Sequence, residues 1–559
     1  MQNFWYKNAI VYSLDVETFM DSDGDGVGDF QGLTQRLDYL AGLGITCLWL
    51  LPFYPSPNRD NGYDVTNYYD VDPRLGTLGD FVEFVHQAHD RGIRILVDLV
   101  INHTSLEHPW FQKARSDKHS KYRSYYVWSK NPHPEPSLIA FPTQEDSIWE
   151  YDEQAGASYL HHFYKEQPDL NIGNPEVREE ILRIMGFWLA LGVSGFRIDA
   201  APFVIENVGI EHARPEELQQ FLQQMQEFVS ARQSDAILLA EANVPPEKIS
   251  VYFGDGDRMQ MLFNFLLNQH LFLALARQEV DALKDGLKGL PTIPPNCQWL
   301  NFVRHHDELT LDQLSKEQQQ EIFAVFAPTE DMQIFGRGIR RRLPPMVKNH
   351  RDRMEMIYSL AFSLPGTPLL RYGDEIAMGD DLSLPGRDSV RTPMQWSDQP
   401  NGGFSTAPSN VLPHPVITEG QYGYPCTNVD TEQRSPASFL KWMEHLIRTR
   451  RQCPEFGEGT WRILSTDEPS VFVHLSETHS ETHSAIHPTA ILALHNLGDR
   501  PCIVTLSELE SHQLTEVFND NFSPLRQGQS YQAIDQNTHT FTLNAYGYRW
   551  FRANLKHSC

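Results

Sequence analysis

In G-F-R-I-D (195–199) an apolar run carries an arginine inside it and stops on an aspartate. A carboxylate is unfavourable inside an apolar strand but useful where the strand ends. Three more stretches have this form: V-D-L-V-I-N-H (97–103), L-L-A-E-A-N (238–243) and F-V-R-H-H-D-E (302–308). They put Asp199, Glu241 and Asp307 where buried strands stop. In a closed parallel barrel every strand C-terminus meets at one mouth, and catalytic groups sit there. Three carboxylates with two histidines at one mouth suit acid–base and covalent chemistry on a sugar-like bond.

The rest of the first half supports such a barrel. Ala9–Leu14, Cys47–Pro52, Ile93–Ile101, Ile237–Ala240, Trp299–Val303 and Pro368–Tyr372 read as further buried strands. Leu33–Leu43, Leu78–Arg91, Val177–Leu191 and Glu216–Arg232 have helical apolar spacing, with Gly44 and Gly92 at C-terminal positions. Strand–helix alternation over this length predicts an α/β fold, a closed eight-stranded (β/α)8 TIM barrel. The rhythm breaks at 104–166, a stretch rich in His, Pro, Tyr and Ser, which reads as an inserted B domain. A second irregular stretch covers 376–436, and a helix at Ser438–Arg451 closes the barrel. Beyond Phe456 the texture turns β-like, with an S-E-T-H-S-E-T-H duplication (476–483) as a hairpin tip. The expected division is barrel 1–103, insert 104–166, barrel 167–455 and a C-terminal β domain 456–559.

Length and charge narrow the function. The 559 residues exceed one ordinary core. A net charge of −27 opposes binding to nucleic acid or to an anionic membrane surface, and favours a neutral small molecule or a bound cation. None of the six cysteines forms a CxxC pair, so thiolate metal sites are not expected, and Cys47 reads as a core residue. No apolar run reaches 18 residues, and the first residues contain no secretory h-region. These features predict a soluble cytoplasmic protein with reduced thiols. They leave the oligomeric state open, a homo-oligomer included.

D-S-D-G-D-G-V-G-D (21–29) has the spacing of a calcium loop. Asp21, Asp23, Asp25 and Asp29 supply hard oxygen ligands, and the Val27 carbonyl adds another. An EF-hand needs Glu at its twelfth position, which here is Gly32, so the loop is of another kind. The expected calcium is structural, pinning the first barrel loop; no organic cofactor is expected.

Together these motifs resemble the α-amylase superfamily, glycoside hydrolase family 13. Its ordered regions are V-D-L-V-I-N-H, Q-P-D-L-N (167–171), G-F-R-I-D, the Glu of L-L-A-E-A-N, the His-Asp of F-V-R-H-H-D-E and G-T-P-L-L-R-Y-G-D-E (366–375). Within it the chain looks like the trehalose synthase branch. L-W-L-L-P-F-Y-P-S-P (48–57), H-D-E-L-T-L (306–311), G-I-R-R-R-L (338–343) and V-R-T-P-M-Q-W-S (390–397) carry that likeness. The resemblance implies the (β/α)8 barrel, the inserted B domain and a C-terminal antiparallel β-sandwich. It also implies roles: Asp199 as nucleophile, Glu241 as general acid/base and Asp307 as the residue gripping sugar hydroxyls in the transition state. Arg197 would keep Asp199 ionised. His103 and His306 would bind the glucose ring, and Asp60 and Tyr63 would close its subsite. Arg391 would pair with Asp60 or with a sugar hydroxyl, and Asp98 would only support the mouth. A second calcium site would use Asn102, Asp169, Glu206 and the carbonyls of Phe203 and Val204.

The implied reaction is retaining glucosyl transfer, either isomerising maltose and trehalose with side hydrolysis or hydrolysing a short α-glucoside as an exo-acting α-glucosidase. The chain departs from the trehalose synthase pattern at Leu106, Val244–Pro246, His305, Ser383 and Pro385. Most of these lie around the leaving-group subsite, so the acceptor of the glucosyl group stays open.

Overall fold

A computed structural model describes residues 4–133, 138–205, 215–478, 489–509, 512–522, 531 and 539–555. Eight parallel strands close a barrel: β1 Val11–Leu14, β2 Cys47–Leu50, β3 Arg94–Leu99, β4 Gly195–Ile198, β5 Ile237–Ala240, β6 Met261–Phe263, β7 Gln298–Phe302 and β8 Thr367–Arg371. Each strand pairs with its sequence neighbours, and β8 pairs with β1. Alternation sorts the side chains. Cys47, Trp49, Leu96, Leu239, Phe263 and Leu300 fill the interior, while Leu48, Leu50, Val97, Phe196, Ile198 and Leu238 face the helices. The register pairs Asp98 on β3 with Arg197 on β4, so two charged residues meet on the inner face near the C-terminal end.

Helix ends follow local chemistry. The expected Leu33–Leu43 helix is two, Phe30–Gln35 and Leu37–Leu43, broken at Arg36, whose φ/ψ of −99°/2° leaves the helical range. Thr77 and Asp80 form a capping box at the start of Leu78–Asp90. Ser438 caps Phe439–Arg451 by accepting from the Lys441 N–H.

After β3 the chain leaves the barrel. It forms a helix, Pro109–Ser116, and an antiparallel three-stranded sheet of Trp128–Ser129, Trp149–Asp152 and Ala157–Leu160. At the C-terminal end, five antiparallel strands lie in the order Thr460–Ile463, Val471–Thr478, Thr489–Asn496, Tyr548–Leu555, His512–Asn519. Val471, Val473, Leu475, Leu492 and Phe551 point to a second sheet, Cys502–Thr505 with Thr540–Leu543, and form the sandwich core with Val504, Phe541 and Leu543. The alternate residues Phe472, Ile491, Ala493 and Trp550 join the barrel core instead. The strands flanking the 476–483 duplication pair as expected, but residues 479–483 lie outside the described residues. No helix among the described residues is long and apolar enough to cross a membrane.

Candidate active site

The three carboxylates arrive from three strand ends. Asp199 and Glu241 directly follow β4 and β5, and Asp307 lies five residues beyond β7. One guanidinium organises the first two. Arg197 Nη1 donates to Asp98 at 2.7 Å and to Asp199 at 2.5 Å, and Nη2 donates to Glu241 at 2.6 Å. Two carboxylates one hydrogen bond from the same planar fork are close neighbours. A retaining pair needs such neighbours, with ~5 Å between the carboxyls and not the ~6.5–9.5 Å that holds a water between them. Asp98 is fully buried and also accepts from Trp49 Nε1 and Tyr63 Oη, each at 3.1 Å. It accepts from Arg197 and does not line the cavity over the other two carboxylates.

Asp307 faces the pair from β7. Arg387 Nη1 donates to its Oδ1 at 2.6 Å and Arg391 Nη2 at 2.7 Å; His306 Nε2 lies 3.0 Å from Oδ2. Arg387 also reaches Asp60 at 2.9 Å, and Asp60 accepts from Gln167 at 3.0 Å. Thus Arg387, not Arg391, pairs with Asp60. Arg391 is directed elsewhere because its Nε donates to the His306 carbonyl at 3.0 Å.

A cavity of about 360 Å³ opens over these groups. Asp60, Tyr63, His103, Asp199, Glu241 and Asp307 line it, as expected of a subsite. Arg197, His306 and Arg391 do not; all three are buried behind the wall and act through the carboxylates they hold. His306 stacks parallel on Tyr63 with ring centres 5.8 Å apart, and its Nε2 is 2.8 Å from Tyr63 Oη. The insert supplies Leu138–Phe141 and Phe163 as apolar walls, and the 376–436 stretch supplies Arg387. Phe141 stacks on Phe335 at 4.8 Å, tying the insert to the segment after β7. Of the departing positions, Val244, Pro245 and His305 line the cavity, whereas Leu106, Ser383 and Pro385 do not.

Burial dominates the electrostatics. It pushes Asp199 and Glu241 each up to about 7, against the pull of Arg197. Arg197 favours the ionised form of Asp199, but it is shared by three carboxylates and burial outweighs its pull. For Asp307 burial again opposes charge, but His306, Arg387 and Arg391 outweigh it and hold the carboxyl well below the usual range. Burial lowers His306 to about 3, so its imidazole is neutral at working pH.

In the acidic loop, Asp21, Asp23 and Asp29 place oxygens within 4.8 Å of one another. Amide N–H groups already offset part of their repulsion: Gly24 and Gly26 donate to Asp21, and Ser22 and Gly32 to Asp29. Asp25 is exposed and accepts from the Val27 N–H at 2.8 Å, outside that convergent group. This all-oxygen set fits a hard cation. The second expected set does not. Asn102 and Asp169 do meet at 3.3 Å, but Asp169 Oδ2 is taken by the His162 ring and Oδ1 accepts from the His162 N–H. The His162 ring also lies tilted against Phe203 with centres 4.8 Å apart. Val204 is buried in the core, and Glu206 lies outside the described residues.

A closed parallel barrel carrying two carboxyls on one arginine, with a third opposite, defines a retaining carbohydrate-active enzyme. Residues 16–459 match the family described as alpha amylase, catalytic domain, and residues 489–552 match the sucrose hydrolase-like C-terminal domain. The chain belongs to the α-amylase family. It is 39% identical to the trehalose synthase/amylase of Mycolicibacterium smegmatis over 98% of this chain and 92% of that protein. It is 30% identical to a probable oligo-1,6-glucosidase of Bacillus subtilis over 86% of this chain and 90% of that protein. The crystal structure of an α-amylase from H. orenii superposes with a TM-score of 0.77 at 26% identity, covering 98% of this chain and all of that one.

Proposed function

We propose that the enzyme opens a short α-glucoside with retention and returns the glucosyl group to the released sugar, interconverting maltose and trehalose with some hydrolysis. Asp199 attacks the anomeric carbon while Glu241 protonates the departing oxygen. Asp307, charged at all working pH, grips sugar hydroxyls as positive charge develops on the ring. Glu241, now ionised, takes the proton of the incoming hydroxyl as the glucosyl–Asp199 bond breaks.

The observation that carries this reading is the enclosure of the carboxylates. Asp60 and Arg387 meet at one side of the cavity at 2.9 Å, and Leu138, Ile139, Ala140, Phe141 and Phe163 give it an apolar wall opposite polar groups such as Asn243, Asp312 and Arg337. Such a chamber admits a chain end but not a polymer, and apolar walls keep water from the covalent intermediate. The higher identity to a trehalose synthase/amylase than to an oligo-1,6-glucosidase supports the same reading. Incubation with maltose should yield trehalose, and trehalose should yield maltose, each with a minor share of glucose by chromatography. Glucose alone from both substrates would establish the hydrolase alternative instead.

The acidic loop is proposed as a structural calcium site, with Asp21, Asp23 and Asp29 as core ligands and Asp25 and the Val27 carbonyl completing the shell. Because the loop follows β1, the ion would brace one edge of the mouth. Calcium should raise the melting temperature, and Asp29→Asn should remove most of that rise; an unchanged melting curve with and without calcium counts against it. A cytoplasmic setting fits the five described cysteines, all of which are free.

A further inference from the structure

His305 stands where the resembled branch has asparagine, and its surroundings give it a specific task. Its ring lines the cavity. Phe302 meets it edge-on at 5.0 Å, and Phe263 and Phe265 lie 6.3 and 6.0 Å away. This apolar clamp leaves the ring little freedom to rotate. The Asp307 N–H points at Nδ1 at 3.3 Å, so Nδ1 accepts and the proton resides on Nε2. Burial holds the imidazole well below its usual pKa, so it stays a neutral donor. Among the described residues Nε2 meets no hydrogen-bond partner, which leaves it as the ring's donor for a molecule in the cavity that His305 lines.

Strand order fixes where that donor sits. β6 lies between β5, which is followed by Glu241, and β7, which leads to Asp307. Phe265 and His305 line the cavity together with the acid Glu241 and the sugar-gripping Asp307. Glu241 protonates the departing oxygen, so the sugar is released against this wall. We propose that His305 is a positioning residue that donates from Nε2 to a hydroxyl of the released sugar and holds it for return to the glucosyl-enzyme. This rests on the isomerising function proposed above. A leucine of similar bulk leaves the wall without this donor, whereas a glutamine amide supplies one.

The test is a product ratio, which is insensitive to how much enzyme is active. Maltose is supplied, and trehalose formed is divided by glucose released. His305→Leu should lower this ratio at least fivefold. His305→Gln, whose amide nitrogen reaches the Nε2 position, should restore it to within twofold of the native value. A ratio within twofold of native in His305→Leu, or an equal fall in both variants, overturns the proposal. A native enzyme releasing glucose alone is a different failure, since it removes the isomerising reaction itself.

Discussion

Asp199→Asn should lower turnover of any α-glucoside by about 10⁴-fold or more, since a residue acting in a concerted set loses nearly the whole effect when removed alone. The amide is close to isosteric and still meets Arg197, so the fold should survive, and circular dichroism and melting temperature check that. Glu241→Gln should fail in a different way. It cannot protonate a sugar oxygen, but an activated leaving group such as p-nitrophenolate needs no acid, so the glucosyl-enzyme should form and accumulate. Mass spectrometry of Glu241→Gln after mixing with p-nitrophenyl α-glucoside should show the protein heavier by one glucosyl group. No such adduct should appear in Asp199→Asn. An adduct surviving Asp199→Asn would assign the nucleophile elsewhere.

The same pair sets the pH profile. The active state holds one proton, on Glu241, with Asp199 ionised. Burial raises Glu241 to about 7, so kcat/KM for a disaccharide should fall tenfold per pH unit once the pH is well above 7. With the activated substrate, glucosylation by Glu241→Gln should lose that alkaline limb, because no acid remains to be titrated.

Seven of the eight barrel strands were legible as apolar runs bounded by turn residues. The sixth, Met261–Phe263, was not, because three residues are too short for a period and they run into Phe265–Arg277, a helix buried on most of its faces. The catalytic carboxylates were legible because a charge ending an apolar run has few structural reasons to be there. What spacing could not supply was which arginine meets which carboxylate. Arg387 and Arg391 both lie in a loop-like stretch, and only the short helical turn at Gly386–Val390 aims Arg387 at Asp60. His162 was missed for a related reason. Its partner Asp169 comes into contact only because the insert folds back, and a lone histidine carries no signal of that return.

Arg197 is the residue whose loss should be felt in both activity and stability. It is fully buried and offers Asp98, Asp199 and Glu241 their shared counter-charge. Removing one partner of a buried ion pair costs about 3–5 kcal/mol, since the remaining charge stays desolvated. Arg197→Leu leaves three such carboxyls, which must take up protons to remain buried. All three already stand above their ordinary values, raised first by burial: Asp98 to about 6, Asp199 and Glu241 to about 7. The sign of the pH effect follows. These acids hold protons in the folded state that the unfolded chain releases near pH 4, so stability falls as the pH rises from about 4 toward the folded values. Without Arg197 the folded values move higher, and the penalty keeps growing into the alkaline range. The melting temperature of Arg197→Leu should therefore trail the native protein by more at pH 8 than at pH 5. Activity should be lost at neutral pH, where Asp199 would be protonated and unable to attack. Arg197→Lys tests the fork separately from the charge, because one ammonium cannot span three carboxylates in a plane. It should recover part of the melting temperature and little of the turnover, whereas full recovery of both would show that Arg197 contributes only its charge.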